Sequence, residues 1–187
     1  MFRARPADEL GDVQSPIQPD EQPAPSRAGI EARLTVELAT VVAGARRRAL
    51  RDGDRQIDTA HLLHSVVETD PEVRAAFDGG AQVARVLGYL VQRSIGYGLR
   101  WQGSVEDSGA VPLVAEQGVT GWSPAAVAAM EGALGRARRD GDRRAGGLDL
   151  LAALARDREC RAVEVLGRAG VDAELLSERV ESGARRC

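Results

Sequence analysis

The sequence predicts an all-α protein in which one helical unit is used twice, and three observations carry that reading. The pentapeptide Arg-Asp-Gly-Asp-Arg stands at 51–55 and again at 139–143, an offset of 88 residues. Around it, residues 48–67 match residues 136–155 at nine of twenty positions without a gap, and the same offset pairs Gly44 with Gly132, Ala45 with Ala133 and Thr35 with Ser123. A fixed internal offset of this kind marks a duplicated structural unit. Aromatics are only 3% of the chain while Ala, Leu, Val and Arg dominate, as expected of helices packed through small and aliphatic side chains. The third observation is periodicity, and it places the elements one by one.

Residues 1–29 hold five of the eight prolines among acids, Ser and Gln. Such a segment cannot bury enough apolar area to offset chain entropy, so a disordered tail is expected there. The helical domain is expected over 30–183, with repeat one at 30–96, a connector at 97–121 and repeat two at 122–183. Thr35 is a candidate N-cap, and Leu38, Val41, Val42, Ala45 and Ala49 follow on one stripe. Gly53, flanked by Asp52 and Asp54, stops this helix in a left-handed turn. A second helix begins near Asp58 or Thr59 and carries Leu62, Leu63, Val66 and Val67 inward. Asp70-Pro71 opens a short third helix with Val73, Ala76 and Phe77. After Gly79-Gly80, a fourth carries Val83, Val86, Leu87, Leu90 and Val91. The stretch 97–121 turns rich in Gly, Ser and acids and loses its period, which reads as a connector.

Repeat two restates the plan. Ser123 is the N-cap and Pro124 the first helical residue, where a missing N–H costs nothing. Val127, Met130, Leu134 and Ala137 make its stripe, and Gly141 ends it. Leu148, Leu150, Leu151 and Leu154 form the next helix; Val163, Val165 and Leu166, then Val171, Leu175, Leu176 and Val180, supply the last two. Eight helices in two quasi-equivalent bundles follow.

Composition removes several functions. All 25 basic residues are arginine. Without lysine there is no P-loop of the Gly-x-x-x-x-Gly-Lys-[Ser/Thr] kind and no Schiff-base catalysis. A net charge of −3 supplies no global attraction to nucleic acid or anionic lipid. The basic runs Arg46–Arg48 and Arg136–Arg139 read as solvated helix faces. No run approaches the ~20 apolar residues of a membrane span, and the start of the chain is not signal-like, so a cytoplasmic location is expected. Cys160 and Cys187 form no disulfide framework. The acid pairs Asp52/Asp54 and Asp140/Asp142 sit at helix stops, where turn chemistry explains them. No Ser-His-Asp or Cys-His arrangement can be built from two histidines, so no enzyme activity, cofactor or metal is expected. Asp58, His61 and His64 at i, i+3 and i+6 drift around a helix, and a capping or tethering role for His61 is expected over metal ligation.

The segment Ile57-Asp58-Thr59-Ala60-His61-Leu62-Leu63-His64-Ser65-Val66-Val67 resembles the Ile-Gly-Thr-Glu-His-Leu-Leu-Leu-Gly-Leu-Ile signature of Clp repeat domains, the N-terminal domains of Clp and Hsp100 unfoldases. The likeness runs from about Leu34 to Ser182 and includes the duplication, the Trp122-Ser123-Pro124 start of the second repeat and Leu166-Gly167…Gly170-Val171 before the last helix. It implies an eight-helix domain that receives substrates or adaptors, here without an AAA+ motor. In some relatives each repeat binds phosphoarginine, the signature Thr and N-terminal amides holding phosphate and the signature Glu holding guanidinium. The matching positions are Thr59 and Ala60 in repeat one, and Gly147 and Leu148 in repeat two. Both carboxylates are lost, which should weaken guanidinium recognition by roughly ten- to a hundredfold. Asp58 and Asp149 are the nearest substitutes.

Trp101 and Trp122 flank the connector. Trp122 just before an N-cap either staples its helix or borders a groove where peptides dock in relatives. A ligand or partner groove is therefore expected near Thr35, Leu38, Trp122 and Met130. The leading expectation is a binding module for a peptide, a peptide-like small molecule such as a cyclic peptide, or a partner protein, acting as adaptor or decoy in Clp proteolysis. The alternatives are an arginine-rich regulator contacting nucleic acid and a small-molecule-binding protein or enzyme of a biosynthetic pathway.

Overall fold

A computed structural model of the chain describes residues 27–94, 106, 121–141 and 144–184. Nine helices lie among the described residues: α1 (Arg27–Glu31), α2 (Val36–Asp52), α3 (Thr59–Thr69), α4 (Pro71–Ala75), α5 (Gly79–Ser94), α6 (Pro124–Arg139), α7 (Gly147–Arg156), α8 (Arg161–Arg168) and α9 (Ala173–Ala184). The all-α class stands, and α2–α5 and α6–α9 are the two repeats. The starts of α2 and α3 recur 88 residues later as the starts of α6 and α7.

Local chemistry sets the boundaries. Thr35 Oγ1 accepts from the Leu38 amide at 3.2 Å and Ser123 Oγ from the Ala126 amide at 3.1 Å, so each repeat opens on a hydroxyl cap. Gly53 ends α2 at φ +76°, a conformation that costs only glycine little. Asp70 caps α4 by accepting from the amides of Glu72 and Val73, with Pro71 at the first helical position.

The repeats are interlocked rather than merely adjacent. The Thr35 amide donates to Ala145 O (2.9 Å) and the Ala145 amide to Arg33 O (3.0 Å). Equivalently, the Ser123 amide donates to Ile57 O (2.8 Å) and the Ile57 amide to Gly121 O (2.9 Å). These two isolated parallel bridges, Leu34 with Ala145 and Ile57 with Trp122, are each other's image under the 88-residue offset. Each lead-in segment is thus satisfied by the other repeat, as buried backbone must be. α2 packs on α3, α6 on α7, and α3 crosses both α7 and α8.

The shared core runs through Leu38, Val42, Leu62, Leu63, Val66, Met130, Leu150, Leu151 and Leu166. Each such side chain contributes about 1.5–3 kcal/mol on burial. Three expectations change here. Leu38, Trp122 and Met130 are 0%, 2% and 0% exposed, so they belong to the core, Trp122 alone of the three also bordering a surface hollow; Thr35 is half-buried, and its hydroxyl is the α2 cap. Val91 and Leu175, expected to point inward, face out, because α5 and α9 each bury a narrower stripe. Residues 27–29, expected in the tail, begin α1, which is anchored by buried Ile30 and Leu34. The rest of the tail, Trp101, Cys187 and nearly all of the 97–121 connector lie outside the described residues. Among the described residues no helix is long and apolar enough to cross a membrane.

Candidate functional site

The start of α3 is the most polar buried place in the described molecule. Thr59 is the first residue of the helix, so its amide has no intrahelical partner and sits at the positive end of the helix dipole. The carboxylate of Glu106, delivered from the connector, fills that position. It accepts from the Thr59 amide at 2.8 Å, from Thr59 Oγ1, from Ser123 Oγ at 2.9 Å and from the Arg161 amide at 2.7 Å. Arg161 is the first residue of α8, so one buried carboxylate bridges two helix N-termini and the cap of a third helix. Thr59 Oγ1 completes the junction by accepting from the Ala162 amide at 3.0 Å. Of the positions matching the phosphoarginine signature, Thr59 is therefore fully engaged by the chain itself, and Ala60 is 0% exposed.

One residue earlier, Asp58 caps α3 by accepting from the His61 amide at 2.8 Å, and the imidazole closes a capping box, its Nδ1 lying 3.2 Å from the Asp58 amide. His61 thus has the capping role expected of it. Asp58 Oδ2 also accepts from Arg93 and, at 2.7 Å, from Arg161. Burial alone would raise this carboxyl, but the hydrogen bond and charge of His61 and the Arg93 guanidinium outweigh it and hold it well below the usual carboxylate range. Asp54, Asp58 and His61 bring ligand atoms within 4.8 Å of one another, the spacing a cation would use. Arg93, 3.6 Å from Asp54, and Arg161 already supply the positive charge there. Asp58, proposed as a substitute guanidinium ligand, does hold guanidiniums, and they are the protein's own.

Repeat two handles the equivalent junction differently. Gly147 occupies the Thr59 position, and a Cβ there would collide with the Asp70 carboxylate and lie 3.1 Å from Val73. The start of α4 approaches too closely for threonine. Leu148, in the Ala60 position, is half-buried against the core. Asp149 Oδ2 accepts from the Gly146 amide at 2.9 Å, and its other oxygen lies 3.1 Å from Arg136 Nε.

The grooves between the first two helices of each repeat also differ. In repeat one, Arg48 donates to Ser65 Oγ (3.3 Å) and to Glu68, and His64 is buried beside them. Burial and the neighbouring Arg48 push the His64 imidazole down to about 4. In repeat two, Ala152, Ala153 and Arg156 replace His64, Ser65 and Glu68, leaving a cleft of about 230 Å³. A second hollow of about 200 Å³ lies over Ile57, Gly121 and Trp122, rimmed by Arg46 and exposed Leu50. Cys160 caps the junction side of α8, and burial pushes its thiol up to about 11, far from a nucleophile's range. The basic runs are partly neutralised: Arg46 pairs with Glu31 (3.1 Å), Arg48 with Glu68, and Arg136 with Asp149.

Glu106, Arg93 and Arg161 were not foreseen from sequence. Glu106 sits in an aperiodic stretch and the two arginines at a helix end and start, so no local pattern distinguishes them from solvated charges.

No described protein family matches the chain, and no curated protein matches it either. Solved structures do. The chain resembles the N-terminal domain of the caseinolytic protease associated chaperone ClpD from Arabidopsis thaliana, with TM-score 0.58 and 18% identity over 82% of this chain and 96% of that one. It also resembles a chain from preliminary structural investigations of a malarial protein secretion system, with TM-score 0.59 and 13% identity over 82% and 93%. At these identities the likeness shows the fold: an all-α, Clp N-terminal-like domain.

Proposed function

We propose that this protein is a non-catalytic docking module that binds a partner protein or peptide and is linked, as adaptor or decoy, to Clp-type proteolysis. The observation that carries the reading is the fold likeness to the N-terminal domain of a protease-associated chaperone. The buried polar groups support it. Asp58 accepts from Arg93 and Arg161, Thr59 and Glu106 bond to each other and to the first amides of α8, His64 is held neutral, and Cys160 is held as a thiol, so these groups stabilise the scaffold and leave recognition to its surface. Phosphoarginine recognition like that of the resembled relatives does not fit, since Thr59 is taken by Glu106 and the two signature carboxylate positions are Ala60 and Leu148. Affinity capture with purified Clp chaperone, its protease and their substrates tests the reading, alongside melting in the presence of candidate peptides. Retention of a Clp component, or a ligand-dependent rise in melting temperature, is expected. Absence of both overturns it.

A further inference from the structure

We propose that the cleft between α6 and α7 is a carboxylate-recognition site, and that the element it takes is an acidic peptide segment of a partner. The proposal rests on the docking-module reading and gives that module a ligand chemistry.

The argument comes from comparing one groove with its own copy. In repeat one a carboxylate is built in: Glu68 on α3 reaches across to Arg48 on α2, and His64 and Ser65 fill the space beneath. Under the 88-residue offset Arg48 becomes Arg136, but Glu68 becomes Arg156, and His64 and Ser65 become Ala152 and Ala153. Two consequences follow physically. The arginine on the first helix loses its glutamate partner; Arg136 still lines the cleft, but its guanidinium is engaged elsewhere, with Nε 3.1 Å from Asp149, NH1 3.9 Å from Glu181 and NH2 3.5 Å from Val180 O. The volume vacated by the larger side chains stays open as the 230 Å³ cleft, floored by Ala129, Gly132 and Ala153.

Arg139 and Arg156 stand exposed on its two walls, and among the described residues neither is ion-paired. Two guanidiniums over an apolar floor present forked donors that match a planar carboxylate. A peptide acid is favoured over a phosphodiester chain because Asp157 also lines the cleft and Glu131 and Asp140 are exposed on the same helix run, so a continuous polyanion would meet repulsion that a single side chain avoids. Repeat one already shows the occupant in outline: a glutamate side chain crossing from one helix to the other.

The experiment uses the full chain and fluorescence anisotropy with a labelled hexaglutamate peptide. Binding is expected at about 20 mM salt and should weaken several-fold by about 200 mM. Arg156→Glu should weaken it roughly tenfold or more, and Arg139→Ala about three- to tenfold. The triple change Ala152→His, Ala153→Ser, Arg156→Glu rebuilds groove one in repeat two and should abolish binding. Arg51→Glu, at the repeat-one position matching Arg139, alters net charge equally and should leave binding within about twofold. No binding of hexaglutamate by the wild type, equal loss in Arg51→Glu, or retention in Arg156→Glu overturns the proposal. Tighter cleft-dependent binding of a labelled single-stranded oligonucleotide overturns the peptide assignment. Hexaglutamate binding without capture of any Clp component leaves this site standing and removes the Clp link; capture without hexaglutamate binding does the reverse.

Discussion

The two repeats share a backbone plan and differ in where each finds negative charge. Where α3 meets α8, two helix N-termini are bridged by Glu106 from the connector. Where α7 meets α4, Asp70, already the α4 cap, sits against Gly147. Both junctions place a carboxylate at converging positive helix ends, where it is stabilised by the dipoles and by otherwise unsatisfied amides. The same contrast recurs in the grooves: repeat one closes its groove with Glu68 on Arg48, and repeat two leaves arginines facing a cleft. A duplicated scaffold thus keeps an electrostatic requirement while changing which residue meets it, and the second copy leaves its groove open.

The largest expected effect that would break this comparison is at Asp58. Asp58→Ala leaves Arg93 and Arg161 without their shared buried acceptor, so a loss of about 3–5 kcal/mol is expected in urea unfolding. Asp149→Ala in repeat two, where the paired Arg136 has other acids nearby, should cost clearly less. Equal losses would refute the claimed asymmetry. Because the folded Asp58 carboxyl is held down, its contribution is present above the unfolded value of 3.8 and is lost as pH falls below it.

Glu106→Ala comes next. It strands the Thr59 and Arg161 amides and the Ser123 hydroxyl in a buried site, for an expected cost of about 3 kcal/mol, or roughly 10 °C in melting temperature. A change below about 2 °C would show the bridge to be dispensable.

His64 gives a pH-dependent test. Unfolded, it takes up a proton near 6.5; folded, near 4. The depressed imidazole therefore leaves stability full above pH 6.5 and removes up to about 3 kcal/mol as pH falls toward 4. His64→Ala, which copies Ala152, should flatten that slope whatever its effect on absolute stability, and an unchanged slope would place the titration elsewhere.

The smallest effect sharpens the junction argument. Gly147→Thr restores the signature residue in repeat two but drives its Cβ into the Asp70 carboxylate, so about 2 kcal/mol of destabilisation is expected by thermal melting. If Gly147→Thr stabilised the protein instead, the close approach of α4 would not be the reason for glycine.

Much of the scaffold was legible beforehand because its signals are local. Thr35, Ser123 and Asp58 announce caps, Gly53 and Gly141 announce stops, and the stripes from Leu38 to Ala49 and from Leu62 to Val67 announce buried faces; each depends on residues within about two turns of one another. Burial of the expected groove residues was not legible for the opposite reason. Leu38, Trp122 and Met130 carry no sequence mark that separates a core residue from a groove wall, since both are apolar on the same face. Whether such a face is covered depends on the other repeat.

The sequence by itself determined that the chain is helical, that it is duplicated at an offset of 88, and where most helices start and stop, because caps, periodicity and left-handed glycines act over a few residues. Only the tertiary structure decided that Glu106 bridges two helix starts, that Asp58 draws Arg93 and Arg161 together across 35 and 103 residues, and that the first groove is closed while its copy is open. Those outcomes depend on distances between charges remote in the chain, and Coulomb and hydrogen-bond energies respond to separation in space, not along the sequence.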